Sequence, residues 1–554
     1  MVRWSVAILS VAVWLGWFSP EISDTDFWWH LKTGQYLVER HSLPVPDPFA
    51  YTTASARPAY AGEARTRHFN LTHEWLAQAI FYTVWRVAGF AGLVFFRAAL
   101  LAIFCALVGW IVWLRCGGPW RAWLAAFAAA GVAARFAVDR PYLFTFVFLA
   151  AGIAILEWRS APAWRLWLLT PWMLVWANCH GGYILGWAAM AAYCAESLSR
   201  GRRELLLPCA AAVVGSGLNP NGYAIPLVLA DYRASYMQSH LLEWSPLPLW
   251  PLEWPSALLL AGAAVLVWRW RKVRPVDWLL FGGFAAAALM ASRNAILIGI
   301  AAPMVLASYA PQWTRPAPRW TEWAAAAALS AALAWGIVQG AFFQLRVNPW
   351  KWPAGAADFL LAHHVTATMF NTYEYGGYLM WRLWPGERVF IDGRALSESV
   401  FQDYVRILYN HEDPGKPSPR QMLDRYGVQV MVMNGFEYVN GILYTMAVSL
   451  ADPRESAWKL VYSDPQAMVL MRDPPPGVTP LPQTRVLDHL EAECGWHIQH
   501  QPQYPRCARA LGQVFAKLGE YKRARQWIGV YLSEPHTPDP EAEDAYRRLA
   551  AFAR

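Results

Sequence analysis

The apolar residues of this chain gather into long blocks over roughly the first 340 positions, and more mixed sequence follows. Read at about 20 residues per crossing, the blocks predict transmembrane helices near 4–19, 91–114, 121–138, 142–157, 166–178, 181–197, 204–218, 255–268, 276–291, 295–310 and 320–343, about eleven in all. Several are short or interrupted by Gly or Pro. The first follows "MVR" and has no small-residue cleavage site before "SPEISD", so it reads as a retained span that also directs insertion. Charge tests the connections. With the N-terminus in the cytoplasm, the inner connections carry Arg115/Arg121, Arg159/Arg165, Arg200/Arg202/Arg203, Arg269/Arg271/Lys272/Arg274 and Arg315/Arg319. Every one is basic, as the positive-inside rule requires, and an odd number of spans leaves everything after about Phe343 outside.

Three regions follow from this pattern. Residues 1–343 form a helical polytopic membrane domain whose first exported loop, about 20–90, is long. That loop holds two segments of amphipathic helical pattern, "DFWWHLKTGQYLVER" and "HEWLAQAIFYTVWRVAG", expected to lie along the outer interface. Residues 344–473 read as a small exported α/β domain, with short strands in "TMFNTY", "ERVFIDGR", "VQVMVMNG", "WKLVYSD" and "AMVLMRD". A Pro-rich linker, 474–485, leads to a helical tail, 486–554. Its segment "YPRCARALGQVFAKLGEYKRARQWIGVYLSEP" has the small–large spacing and turn of one tetratricopeptide-like helix pair.

Composition agrees with the membrane class. Hydrophobic residues make up 56% of the chain, charged residues 16%, and there are 34 tryptophans, against about 25% charge in soluble domains. The net charge of +8 does not signal a nucleic-acid partner, because many basic residues flank apolar blocks and no basic–aromatic stripe lies outside the membrane loops. Of seven cysteines, five lie in or beside spans. The other two, Cys494 and Cys507, fall in the exported region, where an oxidising compartment allows a disulfide that spacing alone does not establish.

Polar residues at membrane depth are costly and mark sites. Asp24, Asp26, His30, His73, Glu74, Asp139, Arg140, Asn178, His180, Asn219, Arg293 and Asn294 all fall at outer span ends or in outer loops, whereas the inner side shows mainly solvated arginines. Their one-sidedness predicts a single polar cavity opening outward beneath the first loop. Each also has a plainer reading. Asp24 or Asp26 is a suitable N-cap for the helix beginning "FWWHL", and His30 an ordinary interfacial residue. Arg140 is long enough to snorkel, Arg293 to meet a lipid phosphate. Asn178 and His180 stand where a span breaks at Gly181-Gly182. Together the set suits a hydroxyl attacking a carbon that carries a phosphate leaving group, with a carboxylate as base and cationic side chains on the phosphate.

The segments "SDTDFWWHLKTG", "PDPFAYT", "HEWL", "WANCHGGYILG", "LNPNGY", "EWSP" and "SRNAILIGIAAP" resemble bacterial GT-C superfamily glycosyltransferase-like membrane proteins over roughly residues 20–400. "FNTYEYGGYLMWRLWPGERVFIDGR" resembles the exported region that follows their spans. The resemblance implies an inner-membrane enzyme that takes a sugar from a polyprenyl-phosphate carrier, inverting, to a periplasmic glycan, lipid or protein acceptor. A first-loop aspartate serves as base or as ligand of a divalent cation, Mg or Mn. Asp26 is the first choice for that aspartate and Asp24 the second; both together are the candidate metal pair. The inserted connector "SARPAYAGEARTRHF" departs from the shorter loop of those proteins. In "FIDGR", Asp392 and Arg394 read either as contacts to acceptor or sugar or as a solvated turn pair. No GxxxxGK, HExxH, paired CxxC or GxSxG occurs. Two other classes compete: a non-catalytic envelope-assembly scaffold that binds a protein partner through the α/β region and the tail, and a transporter, which the one-sided polar residues and the lack of internal repeats disfavour.

Overall fold

Each predicted span coincides with a helix. In this computed structural model, which describes residues 2–55, 57–237, 244–311, 318–394 and 396–552, these are α1 (Val2–Trp17), α4 (Trp75–Cys116), α5 (Pro119–Ala133), α6 (Tyr142–Glu157), α7 (Leu169–Cys179), α8 (Ile184–Ser199), α9 (Leu206–Ser216), α10 (Trp254–Trp268), α11 (Pro275–Met290), α12 (Ile298–Tyr309) and α13 (Arg319–Val338). Between α1 and α4 lie α2 (Phe27–Arg40) and α3 (Glu63–Thr72). By length and composition, Glu63–Cys116 and Trp320–Val338 suffice to cross a bilayer. Helices such as α7, with 11 residues, and α6, with 16, rise only about 16–24 Å.

The chain divides into two units, Met1–Val45 with Tyr60–Asn348, and Pro46–Ala59 with Pro349–Arg554. The first unit is all-helical. Within it α1 packs on α13 through Val6, Val13 and Leu329, and α4 packs on α5 and α6. α4 is two helices in series, joined at Gly89, whose φ of 64° and ψ of −161° belong to a region open to glycine. The predicted interfacial helix is therefore the part of α4 before Gly89. Its predicted partner, α2, differs from expectation: Phe27 to Gly34 are all buried, Lys32 included. The cause is close packing of α2 on α4, where a Cβ at Gly34 would stand 2.1 Å from the Gln78 carbonyl oxygen.

The expectation of solvated inner arginines is corrected for two of them. Arg115 donates to Glu157 at 2.8 Å and Asp277 at 2.6 Å. Arg274 donates to Glu157 at 2.9 Å and Glu196 at 2.8 Å, and the Tyr193 hydroxyl donates to Glu157 at 2.7 Å. These carboxylates are withdrawn from water and need cations. Arg315 and Glu243 lie outside the described residues.

The second unit is built on a four-stranded sheet in the order β1-β2-β4-β3. β1 (Met369–Asn371) runs parallel to β2 (Val430–Met433); β4 (Met468–Met471) is antiparallel to both β2 and β3 (Lys459–Ser463). β2 and β4 are buried throughout, which explains their unbroken apolar sequence. The predicted strand in "ERVFIDGR" does not join the sheet. Its Val389 pairs with Ala50, and its backbone is held by Phe49 and Tyr51, at 3.1 and 3.2 Å, so "PDPFAYT" is part of this unit. The tail shares the same core: Val486, Leu490, Leu511 and Phe515 pack in one cluster with Phe370, Met431 and Leu470. Glu493 accepts from the Gly435 and Phe436 amides at 2.6 and 3.1 Å, and Cys494 is bonded to Cys507.

The solvated reading of "FIDGR" is corrected here. Asp392 and Arg394 are each 4% exposed. The Arg394 guanidinium donates to Asp392 at 2.7 Å and to Asp47 of "PDPFAYT" at 2.8 Å, with Phe49 across its face at 5.2 Å. Two buried carboxylates thus share one cation. Arg394→Met leaves both uncompensated and should cost about 3–5 kcal/mol, seen as a lower midpoint in thermal unfolding; an unchanged midpoint contradicts the clamp.

Glu374 is the opposite case. It accepts from the Tyr444 hydroxyl at 2.6 Å and forms no ion pair among the described residues; burial pushes its carboxyl up from 4.5 to about 7. A folded value above the unfolded one stabilises the fold only while the group stays protonated. That contribution is complete below about pH 4.5 and is lost as pH rises through 7. Denaturant unfolding at about pH 5 and about pH 8 should show a smaller loss of stability in Glu374→Gln than in wild type; equal losses contradict the assignment.

Candidate functional site

Five helix ends of the first unit bring the site together. α2 and the start of α4 run side by side in register: Glu39 meets Tyr82 at 2.7 Å, Gly34 meets Gln78, and one turn earlier His30 meets Glu74 at 3.4 Å. The close approach that Gly34 permits therefore aligns the imidazole with the carboxylate. The ends of α3 and α7 supply His73 and His180, and the turn leading into α6 supplies Arg140.

Asp24 and Asp26 clasp Arg140. Asp24 takes Nε and, at 2.9 Å, Nη2 of the guanidinium, and Nη2 also meets Asp26 Oδ2 at 2.9 Å. Such a fork matches carboxylate geometry. Asp26 occupies the N-cap position of α2, but its side chain makes no capping bond; it accepts instead from Trp29 Nε1 at 3.0 Å. Asp24 Oδ1 accepts the Asp26 amide at 3.0 Å. Burial pushes the Asp24 carboxyl up, and Arg140 outweighs it, leaving the group below its usual value. The Asp26 side chain is 18% exposed against 7% for Asp24, so Asp26 is the more accessible of the two.

Beside this pair, Glu74 is surrounded by imidazoles. His73 Nε2 lies 3.2 Å and His180 Nε2 3.7 Å from Glu74 Oε1, and His30 faces Oε2. Burial lowers His30 to about 4 and His180 to about 3, against the pull of Glu74, so both rings are neutral near pH 7. His180 is oriented by Thr145 at 2.8 Å, which accepts from Trp176 Nε1 at 2.9 Å. Arg293 lies over the Trp244 ring at 5.1 Å and is near enough for its charge to act on His180 and Tyr232.

Of the residues singled out in sequence, the structure gathers Asp24, Asp26, His30, His73, Glu74, Arg140, His180 and Arg293 within one unit. Asn178 serves the helix ends: it accepts from Trp75 Nε1 at 2.8 Å and donates to the Leu174 and Leu218 carbonyls. Asp392 and Arg394 belong to the other unit's core. Sequence reasoning missed Arg97, which is buried and donates to Asp139 and the Phe18 carbonyl; an arginine inside the apolar run "VFFRAALL" was the signal. Thr145 and Gln78 carried none.

No family model matches this chain, and no curated protein matches it. Its fold is similar to that of a solved structure, the oligosaccharyltransferase of Archaeoglobus fulgidus in its apo form. The TM-score is 0.54 at 11% identity, covering 100% of this chain and 86% of that one. The chain thus has an oligosaccharyltransferase-like architecture.

Removing Arg140 leaves Asp24 and Asp26 facing each other in a largely buried place. Arg140→Met should destabilise the protein by roughly 2–3 kcal/mol, and adding Asp24→Asn should recover part of that loss. Additive effects in a double-mutant cycle of thermal midpoints contradict the clasp.

Proposed function

We propose that this chain is a glycosyltransferase of the bacterial inner membrane that moves a sugar from a polyprenyl-phosphate carrier to a periplasmic acceptor. The reading rests on one observation: a carboxylate pair on a guanidinium stands next to an imidazole–carboxylate cluster and Arg293, in a unit of oligosaccharyltransferase-like fold. The N-terminus lies in the cytoplasm and the second unit outside, as the basic inner connections require.

In this reaction the acceptor hydroxyl oxygen bonds to the anomeric carbon as the bond from that carbon to the phosphate oxygen breaks. The phosphate leaves with the electron pair, and the hydroxyl proton passes to Asp26. Asp24, twice bonded to Arg140, positions that guanidinium, which in turn orients Asp26. Arg293 and the histidines face the leaving phosphate. Fixed donors aimed at developing charge are worth most in a site shielded from water. A divalent cation held by His73, Glu74 and His180 would supply further positive charge to that phosphate.

Asp26→Asn keeps the shape and removes the proton acceptor. It should lower turnover by about 10²–10⁴-fold, read as sugar released from polyprenyl phosphate by purified protein of wild-type thermal midpoint. Turnover like wild type overturns the assignment of Asp26 as base.

A further inference from the structure

Carboxylates of the first unit are matched to arginines: half-buried Asp24 and Asp26 to Arg140, buried Asp139 to Arg97 and Glu157 to Arg115 and Arg274. Glu74 is buried to 7% exposure, and its close ionic neighbours are imidazoles. Its Oε2 is shielded from water and, with His30 Nδ1 3.4 Å away, has no hydrogen-bond partner among the described residues.

Donor atoms of three side chains converge on one point beside Glu74. His73 Nδ1 is 2.8 Å from the Phe69 carbonyl oxygen. A carbonyl only accepts, so Nδ1 carries the hydrogen, and Nε2 is turned toward Glu74 Oε1 at 3.2 Å. The distance from His180 Nε2 to the same oxygen, 3.7 Å, is beyond hydrogen-bond range. A tetrahedral ion with bonds of about 2.0–2.2 Å separates its ligands by about 3.3–3.6 Å, which the two observed distances bracket. One donor atom from each of His73, Glu74 and His180 lies within 4.8 Å of the others. The outer partners fit as well, since metal-bound histidines give their second nitrogen to a carbonyl or another oxygen. Phe69 serves His73 in this way, and the His180 ring is held at Nδ1 by Thr145 Oγ1 at 2.8 Å, itself fixed by Trp176, and by the Gly182 amide at 3.0 Å.

We infer that His73, Glu74 and His180 form a binding site for one first-row transition-metal dication, distinct from the Asp24–Asp26 pair. Two imidazoles and one carboxylate suit zinc or manganese. Magnesium, which demands oxygen ligands, fits poorly. The Asp24–Asp26 pair already has its cation in Arg140, so metal retention does not depend on it. Three protein ligands leave a coordination position for another ligand.

The test uses full-length protein purified in detergent without metal-affinity resin, stripped with chelator, then equilibrated with Zn, Mn or Mg salts and desalted. Elemental analysis should find one zinc or manganese per chain and no retained magnesium. Glu74→Gln and His180→Ala should not retain the ion. Thr145→Val, which keeps all three ligands, should weaken binding about 10–100-fold, and Asp26→Asn should hold the metal as wild type does. Wild type that retains no transition metal overturns the inference, as does loss of the ion in Asp26→Asn but not in Glu74→Gln. If both ligand variants fail to fold, wild-type affinity in Thr145→Val overturns it. Metal retention is read without turnover, so it stands or falls apart from glycosyl transfer.

Discussion

A carboxylate withdrawn from water must be given a cation, and much of this structure is arranged around that requirement. Arg140 lies between Asp24 and Asp26, Arg394 between Asp47 and Asp392, and Arg115 between Glu157 and Asp277. Each guanidinium joins segments distant in sequence, because its planar fork binds two partners at once. Arg140 ties the chain after α1 to the chain after α5. Arg394 draws "PDPFAYT" into a unit whose other residues begin some three hundred positions later. Glu74 departs from the pattern in having histidines where the others have arginine, and there the cluster has the features of a binding site.

The helical architecture was legible because apolar blocks of helix length cannot be hidden in a sequence; all eleven predicted spans fall on helices. The site was legible in part. Asp24, Asp26, His30, His73, Glu74, Arg140, His180 and Arg293 stood out as ionisable residues beside apolar blocks, and they converge. Their pairing was not legible, because it depends on which helix ends meet. Nothing in "SDTDFWWHLKTG" says that Asp24 will grip a residue more than a hundred positions away. The glycine of that motif is explained only by the Gln78 carbonyl that packs on it.

The same limit explains the misreadings. "ERVFIDGR" has strand character, and its Val389 does pair with another segment, but the partner is the first-loop segment Phe49–Tyr51, which sequence order places far away. Asp-Gly-Arg is a common solvated turn, and it became a buried clamp because Asp47 was supplied from the same distant segment. The inner arginines looked solvated because each had only its own loop for context, while Glu157, Glu196 and Asp277 sit on separate helices. Local pattern gave elements; charge matching between elements gave the site.

The central claim is that the polar cluster of the first unit receives the phosphate of a lipid-linked sugar. The most direct measurement is a cryo-electron microscopy structure of the full-length protein with polyprenyl phosphate bound. The phosphate is expected against Arg293 and His180, with the sugar-bearing side toward Asp26. Phosphate density elsewhere, with this cluster unchanged and unvisited, contradicts it.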